Sequence, residues 1–383
     1  MKIGIITQPL HTNYGGLLQN FALQLVLKDM GHSPITLDWE SKRLPYHKVL
    51  VSKAQLWLKR ILHKNVVTSS GYQPTNRELA IITKNTDCFI NSYIKRTHKS
   101  YTTEDLSKEV INNNVQALIA GSDQVWRPLY SGIGITNMFF GFISDPTIKR
   151  IAYAASFGTD NWEYSNELTE ECKRLVKSFD LVSVREESGV QLCQEHFGIK
   201  AKHVLDPTLL LEKKCYETLV NRADIPKSVG NLFYYILDPT KEKTSFIEDA
   251  GKKCGLVPFT VMPSYQAENR TRMHVKHEIE KCIFPSVEEW LKGFMDAKMV
   301  ICDSFHGCVF SIIFNKPFWV IRNEERGNSR FDSLLKTFKL EDRLISHLDN
   351  VNFDRLIDWG NVNSIIKEKR EYSLTVLMDA IAC

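Results

Sequence analysis

Residues 299–314 read MVICDSFHGCVFSIIF, and the pattern of this stretch decides the fold. Met299–Cys302 is an unbroken apolar run, the mark of a strand buried on both faces of a parallel sheet. Cys308–Phe314 is small and apolar, as a helix packed against that sheet would be. Between them stand Asp303, Ser304, Phe305, His306 and Gly307, a largely polar turn held between two buried elements. Strand, turn and helix in this order form half of a βαβ unit. The alternation continues in both directions. Phe318–Ile321 follows as a strand, and Leu232–Leu237 and Leu256–Met262 precede. Ser286-Val287-Glu288-Glu289 has the S-x-x-E spacing of a capping box and predicts a helix running to about Met295. Toward the N-terminus come the strands His203–Leu205, Leu181–Val184, Arg150–Ser156, Val115–Ala120 and Lys2–Thr7. An amphipathic helix, Leu17–Met30, follows the first strand and is closed by Gly31.

These runs form two sets with a change near residues 175–185. They predict an α/β protein of two doubly wound, Rossmann-like domains facing each other across a cleft. The expected domains are 1–178 and 179–352, with helical residues 353–383 packing back on the first. A chain of 383 residues suits two such domains, and 43% hydrophobic with 25% charged residues is the balance of a globular protein. The formal net charge of +4 fits an anionic substrate and is too small to argue for nucleic acid. The nine cysteines are odd in number and include no C-x-x-C pair, which points to reduced thiols rather than a disulfide framework or zinc site. The first apolar run is too short for a signal-peptide core, and no stretch approaches the roughly twenty apolar residues of a membrane span. The expected location is therefore the cytoplasm. One segment stands apart. Leu50, Ala54, Trp57, Leu58, Ile61 and Leu62 share a helical face, opposite Lys48, Lys53, Lys59, Arg60 and Lys64. The ordinary reading is a surface helix docked on the sheet. The sharper one is a basic amphipathic helix resting on an anionic bilayer, a peripheral contact with the inner membrane face.

In open α/β sheets, ligands bind beyond the carboxyl ends of the strands, so the residues following each strand are the candidates. After the first come Asn13, Gly15 and Gly16 at a helix start, where the backbone is open to close approach; a Gly-Gly turn is also a common plain turn. After Val115–Ala120 come Asp123, Gln124 and Trp126, polar and aromatic groups that are costly after a buried strand unless they face a cleft. Arg185 ends Leu181–Val184 and can fork onto a carboxylate or phosphate, or pair with Glu186 at the surface. Asp206 ends another strand and either orients a neighbour or forms a turn. His306 is the sharpest candidate. It lies at the positive end of a helix, which favours the neutral base, with Asp303 and Ser304 beside it.

Taken in order, TNYGGLLQNFALQ, GSDQVWRP, SFG, SVREESG, VLDPTLLL, DSFHGCVFSIIFNKPFWVI and NSRFDSLL resemble the polysaccharide pyruvyltransferase family, over roughly residues 5 to 345. The resemblance implies a fold similar to the two-domain GT-B glycosyltransferases, with phosphoenolpyruvate as donor substrate and a saccharide as acceptor. The arginine of its V-R-E motif falls on Arg185 and the histidine of its H-G motif on His306, and it implies both at the donor. Many members carry an arginine two places before that histidine. Here the place is held by Ser304, and Arg322, Arg326 or Arg330 must supply the missing cation.

On this reading His306, with Asp303, is the catalytic acid–base. Arg185, Ser304, Phe305, Gly307 and Arg330 bind the donor. Asn13, Gly15, Gly16, Asp123, Gln124 and Trp126 hold the acceptor, a sugar stacking on Trp126 and lipid-linked if the basic helix rests on a membrane. No metal cluster is visible in the sequence, and the chemistry calls for no cofactor beyond the donor. Two other readings stand beside it. A nucleotide-sugar glycosyltransferase often shows E-x7-E, a spacing found here at Glu163/Glu171, Glu187/Glu195 and Glu280/Glu288. A non-catalytic sugar-binding protein of a capsule-assembly complex is the other.

Overall fold

A computed structural model describes residues 1–41, 72–266, 269–323, 329–348 and 351–382. Two parallel sheets organise them. The first holds β1 (Lys2–Ile6), β2 (Ser33–Thr36), β3 (Ala117–Ala120), β4 (Lys149–Ala155), β5 (Leu181–Val184) and β6 (Lys202–His203), in the order β2-β1-β3-β4-β5-β6. The second holds β7 (Leu232–Tyr235), β8 (Pro258–Phe259), β9 (Met299–Cys302), β10 (Phe318–Ile321) and β11 (Leu344–Ile345), in the order β11-β10-β9-β7-β8. Every pairing within the two sheets is parallel. The apolar strands are buried throughout their lengths because helices lie on both faces. β2, Ser-Pro-Ile-Thr, escapes a reading by hydrophobic runs. It is an edge strand, where its proline costs no central ladder bond.

The expected boundary after residue 178 falls too early. β5 pairs with β4, and β6 with β5, so residues 181–203 complete the first sheet and the second begins only at Leu232. Arg185 thus rises from the first sheet rather than from a donor-side domain.

The predicted capping box is present. Ser286 Oγ accepts the Glu289 amide and the Glu289 carboxylate accepts the Ser286 amide, starting the helix Val287–Asp296. That helix carries Trp290 onto Tyr14 at the start of the first helix, Tyr14–Asp29, ring centroids 5.5 Å apart and 20° from parallel. The Tyr14 hydroxyl also donates to the Pro285 carbonyl at 2.9 Å. One apolar core therefore runs from Ile3 and Tyr14 through Trp290 to Val300 and Phe310, joining the two lobes. The C-terminal helix Trp359–Ala382 returns to the first lobe. Ser373 Oγ accepts the Leu205 amide at 3.0 Å, and Arg370 donates to the carbonyls of Leu209 and Leu211. No helix among the described residues is long and apolar enough to cross a membrane. The basic amphipathic segment at 48–64 lies outside the described residues.

Candidate functional site

Each sheet reverses its winding once, between β1 and β3 in the first and between β7 and β9 in the second. At such a reversal the flanking loops part and leave a crevice at the carboxyl end of the strands. Here the two crevices open into one cleft of about 250 Å³. Thr12 and Asn13 come to it from after β1, and Asp123 and Gln124 from after β3. Tyr235 and Leu237 come from β7 and its end, and Asp303, Ser304, Phe305 and His306 from after β9. Arg330, on the helix Ser329–Phe338, completes the polar wall, while Met262 and Phe284 add apolar surface.

His306 sits in the first turn of the helix Phe305–Ile313 and is buried. Its imidazole fills the space a side chain on Gly15 would take: a Cβ there would stand 2.0 Å from His306 Nδ1 and 2.2 Å from Cγ. Gly15, expected to open the backbone to an acceptor, instead seats the histidine of the opposite lobe. His306 Nε2 points the other way, toward Asp206 Oδ2 at 3.7 Å, and is buried without a hydrogen-bond partner.

Asp206 belongs to a buried ionic cluster. Its Oδ1 accepts from the amide and hydroxyl of Thr208 at 3.0 and 2.7 Å, and its Oδ2 from Ser122 Oγ at 2.7 Å and Arg185 Nη1 at 2.9 Å. Burial alone would raise this carboxyl, but the neighbouring His306, Arg185 and Thr208 overcome it and hold Asp206 far below the usual carboxylate range. Arg185 also meets Glu186 at 3.0 Å and Asp123 at 3.4 Å, and its guanidinium lies 4.2 Å above the Phe305 ring. Burial opposes its charge, yet Glu186, Asp206 and Asp123 hold it above the ordinary arginine value.

The expected donor fork is therefore corrected. The Arg185 side chain is 1% exposed and committed to three carboxylates, so it organises the cleft floor rather than offering a free face to a ligand. Arg330 is the arginine on the cleft wall. Burial, then the nearby charge of Arg185, pulls its guanidinium down to about 10, which marks a place where an added anion is favourable.

Other expectations divide. Asn13 caps the first helix through Oδ1 to the Gly16 amide at 3.2 Å and donates from Nδ2 to Asp123 Oδ2 at 3.0 Å. That capping bond also occupies the Gly16 amide, which is not open to an acceptor. Asp123 holds a left-handed backbone at φ 72°, a cost kept where neighbouring bonds fix it. Gln124 lines the cleft and accepts from Arg127 at 3.2 Å. Asp303 is displaced from its expected catalytic part. Its oxygens accept from the amides of Leu237 and Asp238, from Lys243 Nζ at 2.7 Å and from Asn323, so it ties the ends of β7, β9 and β10 together. Ser304 is the N-cap of the histidine-bearing helix, its Oγ accepting the Gly307 amide at 3.4 Å. Gly307 packs against Cys302 and Tyr235, where a Cβ would lie 2.8 Å from Cys302 Cβ; it gives close strand–helix packing rather than a donor contact. Phe305 supplies the face beneath Arg185. Trp126 cannot stack on a sugar: it is fully buried, parallel to Phe139 at 4.7 Å, with Nε1 donating to the Met138 carbonyl.

No curated protein matches the chain at a significant level. Solved structures similar to it over most of its length include S. aureus MnaA with UDP (13% identity, TM-score 0.49, covering 97% of this chain and 90% of that one). UDP-GlcNAc 2-epimerase from Neisseria meningitidis bound to UDP-GlcNAc is similar at 12% identity, TM-score 0.42, with 97% and 100% covered. Acinetobacter baumannii MurG is similar at 12% identity, TM-score 0.42, with 99% and 98% covered. The family model for polysaccharide pyruvyl transferase matches residues 13–325, from the asparagine that caps the first helix to past the histidine turn and β10, and the chain belongs to that family.

Proposed function

We propose that this transferase takes the pyruvyl group of phosphoenolpyruvate and sets it on two hydroxyls of one sugar as a cyclic ketal, in the building of a capsule or exopolysaccharide. One observation carries the reading. His306, Arg330 and the Asn13–Asp123 pair share a cleft of about 250 Å³ where the two sheets meet. An acid–base group, a cation and hydroxyl-binding groups are thus gathered in one small space. Phosphoenolpyruvate brings a carboxylate and a phosphate. Arg330 receives one, and the Phe305 and His306 amides at the start of the helix Phe305–Ile313 receive the other. Asn13, Asp123 and Gln124 hold the sugar, free or lipid-linked. His306 gives a proton to the methylene carbon of the donor as one sugar oxygen bonds to C2, and that hydroxyl's proton passes to His306. The second sugar oxygen bonds to the same carbon as the C–O bond to phosphate breaks, and its proton leaves with the phosphate. The products are the ketal and inorganic phosphate. Proton transfer by a placed side chain contributes about 10²–10⁴ in rate.

Thermal unfolding tests the donor without an acceptor. Phosphoenolpyruvate at 100 times its dissociation constant should add about 2.7 kcal/mol, and Arg330→Gln should reduce the shift. Phosphate release over a panel of hexose and N-acetylhexosamine glycosides then identifies the acceptor, and His306→Ala should abolish it while keeping the donor-induced shift. Stabilisation by nucleotide sugars, and none by phosphoenolpyruvate, would replace this chemistry with glycosyl transfer.

A further inference from the structure

Among the described residues of the cleft, His306 carries a buried polar atom whose partner is in sight but out of reach. His306 Nε2 has no hydrogen bond, and the nearest carboxylate oxygen, Asp206 Oδ2, is 3.7 Å away. A buried nitrogen left unmatched is costly, and native structures keep few of them. Both ends of the gap are well held. Asp206 is fixed by Thr208, Ser122 and Arg185, so it cannot swing aside. The imidazole is backed by Gly15, so its free travel is toward Asp206. Catalytic hydrogen bonds are often long in a ligand-free site and tighten in the loaded complex. We infer that Asp206 is the positioning residue of His306, and that a ligand entering the cleft presses the imidazole onto it to complete an Nε2–H to Oδ2 hydrogen bond.

The required travel is about 1 Å, from 3.7 Å to the length of a charge-assisted bond. That is within a ring rotation, and the apolar core joining the lobes need not open. The bond would fix the orientation of the imidazole through Nε2. It would also stabilise the imidazolium formed in each catalytic cycle. Among the described residues, Asp123, Asp303 and Arg330 share the cleft with His306, and Arg185 and Glu186 belong to the cluster on Asp206; Asp206 Oδ2 is the carboxylate oxygen that lies 3.7 Å from Nε2.

This inference rests on His306 being the acid–base group of the proposed reaction, but its test reads the bond itself. In proton NMR of the full chain, an imidazole N–H held to a carboxylate gives a sharp, far-downfield resonance. The resonance should appear when phosphoenolpyruvate is added to the wild type, vanish in His306→Gln, and vanish in Asp206→Asn with at least a tenfold loss of phosphate release and little change in donor-induced stabilisation. Absence of the resonance in the saturated wild type, or its survival in Asp206→Asn, would overturn the inference. If Asp206→Asn does not fold, Ser122→Ala loosens Oδ2 while keeping the Arg185 pair. The resonance should then move or broaden, and an unchanged one counts against the pairing. If phosphoenolpyruvate gives no thermal shift, the donor reading fails separately. The spectra are then recorded with whichever nucleotide sugar stabilises the protein, with the same outcomes deciding.

Discussion

At the scale of single residues, Gly15 and His306 make one functional unit from opposite lobes. Adding a methyl at Gly15 puts carbon 2.0 Å from Nδ1 and 2.2 Å from Cγ, the near end of a buried ring, so the imidazole must leave its place. The helix itself gains from alanine by about 0.5–1 kcal/mol. Overpacking outweighs that gain, so Gly15→Ala is expected to cost no more than about 3 kcal/mol by urea unfolding while phosphate release falls by about 10²–10⁴ (equivalent to about 3–5 kcal/mol), the share of the acid–base group. Comparable losses in both would mean that the glycine serves packing alone. The sequence singled out both residues from their places after strands, yet placed Gly15 with the acceptor. Position after a strand says that a residue reaches the cleft mouth; it does not say what fills the space above it. Trp126 fails for the same reason. Its neighbours Phe139, Phe157 and Phe197 come from other segments and close over it. From the sequence Asp206 is equally an orienting group or a turn residue, because its partner His306 lies a hundred positions away in the chain.

At the scale of elements, the helix Val287–Asp296 shows how local signals hold the site. Its capping box satisfies amides that the helix start leaves unpaired, and its Trp290 rests on Tyr14 one residue before Gly15. Ser286→Ala is expected to cost about 1 kcal/mol, read as a lower urea midpoint with an unchanged slope. A changed slope instead would point to altered cooperativity between the lobes. This helix was legible because a cap is written within four residues. β9 and β10 were legible to the residue because each is a continuous apolar run, and β5 because three of its four residues are β-branched or leucine, with Ser183 between them. β2 and β11 were not: one carries a proline and the other is two residues long, so the sheet around them supplies what their own sequence lacks.

At the scale of the whole molecule, the buried charge cluster sets the pH range of the fold. Against its burial, Asp206 is held low by His306 and Arg185, so its folded value lies below its unfolded one of about 3.9. Its stabilisation is present above that pH and is lost as pH falls through the folded value. Burial pushes the thiols of Cys172 and Cys193 up to about 12. The unfolded thiols ionise near 8.5, so their contribution is complete below about 8.5 and is lost as pH rises toward the folded value. Urea midpoints are expected to fall below about pH 4 and above about pH 8.5, with a shallower acid fall in Asp206→Asn. An equal acid fall in that variant would remove Asp206 as a source of acid sensitivity. The strand order that brings Asp206 to His306 could not be read from hydrophobic runs, which mark what is buried and leave open which strand lies beside which. The returning C-terminal helix has a consequence in time. The amide of Leu205 and the carbonyls of Leu209 and Leu211 wait for Ser373 and Arg370. At about 5–20 residues per second, the ribosome delivers those partners roughly 8–30 s later. The nascent first lobe must spend that interval with one flank uncovered, the stage at which a chaperone has something to hold.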